Sequence, residues 1–176
     1  MGLRTLFRTR PAVEAGRALL TQAAAQARQP AFYADWGAPD TREGRFELLV
    51  LHVVLLARRL KGHGEQATET AQALIDACFG SLDVALREMG TGDLSMSKKM
   101  KTLGQAFFGR AKAYGEALDA LPRTERLEEF IGRALLADDG AAQPFVRYVI
   151  AAEQGLAGQS LDDLLVGKAA WPTVRA

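Results

Sequence analysis

The sequence predicts an all-α protein: a single domain of about six to seven helices around a central apolar helix at about residues 41–60. Three observations predict it. Period-2 alternation flanked by turn residues is absent and β-branched residues are sparse, so no stretch reads as a strand. Alanine, leucine, glutamate, glutamine and arginine dominate, and these are the residues that lose least on entering a helix. Apolar residues recur at spacings of three and four in long stretches, and glycine and proline punctuate them.

The elements follow in order. Residues 1–11 carry Arg4, Arg8 and Arg10 and read as a basic, mobile tail ahead of a helical domain over 12–176. The first helix is expected from about Ala12 to Arg28, with Pro11 at its start and Pro30 past its end. Its inward positions are mostly alanine. The aromatic segment Phe32-Tyr33-Trp36 follows, and Gly37-Ala38-Pro39 breaks the chain. Asp40 or Thr41 can cap the next helix, because a short side-chain oxygen satisfies its free N–H groups. That helix runs to about Leu60. From Leu48 to Ala57 it is apolar on every side, so other helices must wrap it.

Gly62 and Gly64 end it around His63. A helix from about Glu65 to Met89 carries one stripe, Ala71, Leu74, Ile75, Cys78, Phe79, Leu82, Leu86 and Met89, expected to be buried. The loop Gly90 to Asp93 leads to Ser95, a candidate cap, and to a helix from about Met96 to Leu121. Its inner stripe is Met96, Met100, Leu103, Phe107, Tyr114, Leu118 and Leu121, and its outer face holds Lys98, Lys101, Gln105 and Lys112. After Pro122, Thr124 is placed to cap a shorter helix with Leu127, Phe130, Ile131 and Leu135. Asp138, Asp139 and Gly140 form a loop, and Pro144 starts a helix with Phe145, Val149, Ala152 and Leu156 inward. Ser160 with Asp163 has the spacing of a capping box for a last short turn.

The bulk composition excludes several classes of function. At 176 residues the chain can close its own core, and a 48% hydrophobic content is too high for disorder. A formal net charge of +1 argues against a dedicated DNA binder, whose domain is usually strongly basic. Cys78 stands alone, which rules out an internal disulfide and fits a reducing compartment such as bacterial cytoplasm. No apolar stretch reaches the ~18 residues of a membrane span, and the first residues lack the apolar core of a signal peptide.

Sites for covalent or metal chemistry do not emerge. Zinc sites need three or four protein ligands, and His52, His63 and Cys78 fall in no such spacing. No nucleophile elbow, phosphate loop or dinucleotide fingerprint occurs. His52 can be read as a haem ligand or a base. The simpler reading, a hydrogen-bonded core histidine, fits its apolar neighbours better. Cys78 on an apolar stripe reads as a small buried hydrophobe. No cofactor, metal or catalytic residue is expected. Lys98, Lys99 and Lys101 read either as a solvated helix face or as a strip for anionic lipid, RNA phosphate or an acidic protein.

Two stretches carry a resemblance. Phe32 to Leu60 holds an aromatic pair (Phe32-Tyr33), then Pro39-Asp40-Thr41, Gly44-Arg45-Phe46 and Leu51-His52. Arg87 to Leu118 holds Arg87-Glu88-Met89-Gly90, Gly92-Asp93, Lys98-Lys99 and Phe108-Gly109-Arg110. In this combination and spacing they resemble the ubiquinol–cytochrome c chaperone family, assembly factors of respiratory complex III. Thr91 and Ser97 depart from the pattern without removing a charge. The resemblance implies a helical chaperone, not an enzyme, that binds newly made cytochrome b. It also implies a compact bacterial form, from an alphaproteobacterium, in the cytoplasm or peripheral on the inner membrane. Mitochondrial members act with a small partner protein near the ribosome exit; the resemblance leaves open whether such a partner acts here. Contacts with the ribosome exit region or with an anionic membrane stay open as well. The client surface is expected at Tyr33, Asp40, Arg45, Arg87, Asp93, Lys98, Lys101 and Arg110, around the loops Gly37–Thr41 and Gly90–Asp93. Competing local roles are a helix cap for Asp40, and pairing of Arg45 or Arg87 with Asp93. Competing functions are a ribosome- or membrane-associated adaptor, and an all-α haem protein using His52.

Overall fold

Helix α3 (Arg42–Leu60) is the axis of the molecule. Leu48, Val50, Leu51, Val53, Val54, Leu55, Leu56 and Leu60 are all buried, as an all-round apolar helix requires. The computed structural model describes residues 10–90, 92–136 and 141–175. Within them the chain forms α1 (Arg10–Ala27), α2 (Pro30–Ala34), α3, α4 (Glu65–Glu88), α5 (Asp93–Asp119), α6 (Glu125–Leu135), α7 (Gln143–Gly158) and α8 (Leu161–Leu165). No strand occurs among the described residues. Against α3 pack α1, α4, α5, α6 and α7, while α1 lies along α4 and α8 docks on both. The five-residue α2 is one more helix than the sequence predicts; it is too short to show a period.

The alanine-rich face of α1 makes close contacts. Ala12, Ala15, Ala23 and Ala27 are buried with Leu19, and a Cβ on Gly16 would stand 2.6 Å from the Leu74 backbone nitrogen. Small side chains let α1 and α4 approach backbone to backbone, which adds dispersion contacts that larger residues would prevent. The last described residues return to α1. The Gln22 amide donates to the Gly167 carbonyl and its oxygen accepts from Ala169 N at 3.0 Å; Gln26 donates to Pro172 O at 3.1 Å. Trp171 thereby lies edge-on to His52, ring centroids 4.9 Å apart.

Several local expectations are corrected. α1 begins at Arg10, inside the expected tail; residues 1–9 lie outside the described residues. Thr41, not Asp40, caps α3: its hydroxyl oxygen accepts from Gly44 N at 3.1 Å. Ser95 does not cap α5, which starts two residues earlier; its hydroxyl donates back to Gly92 O at 2.9 Å. Thr124 donates to the Glu128 carboxylate at 2.7 Å instead of capping α6, and Ser160 makes no side-chain cap on α8. The Ser95 and Thr124 hydroxyls each take a competing local partner, and Ser95 also lies inside a longer helix. The loop at Asp138, Asp139 and Gly140 lies outside the described residues, as does Thr91.

The stripe on α4 is the larger correction. Leu74 and Cys78 are buried, Phe79, Leu82 and Leu86 are half-buried, and Met89 is 50% exposed. The stripe leaves the core as it runs toward Met89, and that departure opens the site described next. Among the described residues no helix is long and apolar enough to cross a membrane.

Candidate client groove

A groove of about 690 Å³ opens where the C-terminal ends of α1 and α4 meet the N-terminal parts of α3 and α5. Its floor is apolar: Ala24 and Ala27 of α1, Phe46 and Leu49 of α3, Leu82, Ala85 and Leu86 of α4 with Met89 just past its end, Leu103 and Ala106 of α5. Tyr33 of α2 closes one side. The sequence builds this end by two local devices. Thr41 sets the first turn of α3. Gly44 then packs so close to the Pro39 carbonyl that any Cβ would collide with it, which is why a glycine follows Pro39-Asp40-Thr41 at that spacing.

The charged lining divides into paired and unpaired groups. Arg110 of α5 holds Glu47 of α3 in a two-pronged ion pair, with N–O distances of 2.7–3.1 Å, and Glu47 is only 8% exposed. Arg45 donates to Asp40 at 2.6 Å; both are exposed, and the bond holds the Asp40 carboxyl below its usual range. Arg42 reaches over the groove to the Met89 sulfur at 3.4 Å. Arg28 and Arg42 have no carboxylate partner among the described residues, and Lys99 also lines the groove. Glu43 is the acidic counterweight on the same rim.

The expected client residues scatter around this geometry. Tyr33 and Arg45 line the groove. The Tyr33 hydroxyl donates to Ala27 O at 2.8 Å, and burial, then Asp40, push its pKa up. Asp40 reaches the groove through Arg45, and Arg110 through Glu47. Arg87 bonds Asp83 one turn back on its own helix, at 2.7 Å. The Asp93 side chain lies outside the described ones. Lys98 and Lys101 are exposed on α5, away from the groove lining. Arg28, Arg42 and Phe46 escape sequence reasoning as site residues. Leu82, Leu86, Met89 and Leu103 do carry a signal, namely apolar stripes, but that signal reads as core.

His52 sits elsewhere, fully buried. Its Nδ1–H donates to Leu48 O at 2.7 Å and its Nε2 accepts from the Tyr148 hydroxyl at 2.7 Å. Burial lowers its pKa to about 4, against the pull of the Leu48 bond. Both nitrogens are occupied, so an iron would have to displace a buried partner. Cys78 is buried and its thiol is pushed up to about 11 by desolvation. No cluster of three metal-ligating side chains occurs among the described residues.

A family described as Ubiquinol-cytochrome C chaperone matches residues 34–171, most of the chain. The chain belongs to that family. The crystal structure of the Cbp3 homolog from Brucella abortus is similar to this chaperone over 99% of this chain and 98% of that one, with 35% identity and a TM-score of 0.83. No curated protein matches it. The family match begins at Ala34 and ends at Trp171, so it spans α3 to α8 and most of the returning C-terminal segment, while α1, Arg28 and Tyr33 of the groove precede it.

Proposed function

We propose that this chaperone captures newly made cytochrome b through the groove and holds it during assembly of ubiquinol–cytochrome c reductase. The observation that carries the reading is the apolar floor: half-buried Leu82 and Leu86 and half-exposed Met89 are left uncovered, whereas α7 buries its whole stripe of Phe145, Val149, Ala152 and Leu156. Met89 suits a surface that accepts more than one shape, being unbranched and polarisable. Cytochrome b exposes apolar helix surface until its cofactors and neighbours arrive. The groove covers such surface by binding alone, and release follows when the client's own assembly stabilises it more than the chaperone does.

The test is complementation of a deletion strain. The wild-type gene restores assembled complex III. Ala85→Trp, which fills the groove from an exposed position, fails to restore it, while the purified variant keeps its melting transition. Full rescue by Ala85→Trp, or normal complex III in the deletion strain, defeats the reading. A second contact belongs to the same proposal. Lys98, Lys101, Gln105, Phe108 and Lys112 recur at three and four on α5, and Phe108 is 60% exposed. This strip suits an anionic membrane surface, with lysines at the head groups and phenylalanine below them. In the same strain, charge reversal at Lys98 and Lys101 lowers complex III and membrane recovery of a folded variant. Unchanged membrane recovery removes the strip from the mechanism; salt-sensitive pelleting with ribosomes instead moves it to the adaptor reading.

A further inference from the structure

We infer that the groove selects an α-helical client segment that is apolar and carries a carboxylate, read by Arg28 and Arg42. The inference rests on the groove being the client site. The floor residues offer side-chain methyl, methylene and ring groups and no sheet edge, because every lining residue other than Arg28 and Met89, each just past the end of a helix, lies in a helix. An extended segment laid there would leave its N–H and C=O groups without partners. A helix satisfies its own backbone and presents only side chains, so it is the form an apolar groove accepts.

The charge of the rim narrows the occupant further. Glu47 is satisfied by Arg110 and Asp40 by Arg45, so neither is available to a cationic client. Arg28 and Arg42 have no carboxylate partner among the described residues, and they stand at the groove from two different helices, past the end of α1 and at the start of α3. Arg42 leans on the Met89 sulfur, which is a weak acceptor and easily surrendered. Glu43 on the same rim disfavours a second client acid and accommodates a neutral or basic neighbour. A carboxylate on an apolar helix is costly to leave alone, and a two-guanidinium rim beside an apolar floor is the complementary surface.

The experiment uses the full chain and a fluorescent, soluble leucine–alanine helical peptide bearing one glutamate beside its apolar face. Anisotropy titrations compare it with the glutamine version and with a proline-broken glutamate version. The glutamate peptide is expected to bind about tenfold tighter than the glutamine peptide, the effect of one partly exposed charge pair. That advantage disappears in the Arg28→Gln, Arg42→Gln double variant and is screened by salt. Ala85→Trp abolishes binding of both helical peptides. Equal binding of the glutamate and glutamine peptides overturns the charge selection. Equal binding of the proline-broken peptide overturns the helical form. If no peptide binds, the inference fails, and crosslinking of cytochrome b to wild type against Ala85→Trp then reports separately on the groove reading.

Discussion

His52 shows how far the surroundings of one residue decide its chemistry. A histidine in an apolar run invites a haem or a proton-transfer role, yet here one nitrogen is bound by the backbone of its own helix and the other by Tyr148, 96 residues away. Burial keeps the ring neutral, with its pKa lowered from 6.5 to about 4. The unfolded chain therefore takes up the proton first on acidification. The stability contributed is complete above about pH 6.5 and is lost as the pH falls toward 4, roughly 3 kcal/mol in all. Urea unfolding at neutral pH and near pH ~4 should show this loss in the wild type and a smaller loss in His52→Phe. An equal loss in both would place the acid sensitivity in other groups. At neutral pH His52→Phe itself costs about 1–3 kcal/mol, since it removes the His52 acceptor of the buried Tyr148 O–H.

At the scale of elements, helix type and order were legible, while helix ends and faces were less so. α3, α4 and α7 lie close to where spacing puts them, since apolar periodicity and flanking Gly and Pro act locally. Caps were harder to read. Thr41, Ser95, Thr124 and Ser160 all have suitable side chains, but only Thr41 accepts the N–H of a first turn. A cap needs extended backbone at that residue: Thr41 has it with φ −112° and ψ 170°, whereas Thr124 is helical with φ −99° and ψ −9° and Ser95 lies inside α5. Thr41→Ala should cost about 1 kcal/mol and lower the melting midpoint by about 2–4 °C, with Thr41→Ser restoring most of it. No change in thermal unfolding would mean that packing alone sets the start of α3. The face of α4 departs from its expected burial for a related reason. An apolar stripe reports which side avoids water in some state of the protein, and a client-binding face has that property as much as a core face does.

The whole molecule is tied together from its two described ends. Gln22 and Gln26 of α1 bond Gly167, Ala169 and Pro172, and Trp171 reaches the central helix at His52. Trp36 lies against Phe32 and Phe145, so the two tryptophans report on the same aromatic region that joins α2, α3 and α7. One core spans all the major helices. Unfolding in denaturant should therefore be one transition, with far-UV circular dichroism and tryptophan fluorescence coincident. Transitions that separate would show that the region around α1 and the C-terminal segment unfolds on its own.

The sequence by itself determined that the chain is helical, that α3 must be surrounded, that Cys78 and His52 are core residues, and that two motif-bearing stretches resemble one chaperone family. All of these depend on properties carried along a single element: propensity, periodicity, and residue types at fixed spacing. Only the tertiary structure decided that the α4 stripe leaves the core at Met89, that Arg110 is spent on Glu47, and that Arg28 and Arg42 stand at one apolar groove. Those facts arise where helices distant in the chain converge. A stripe specifies that a face is apolar, whereas its neighbours in space determine whether anything covers it.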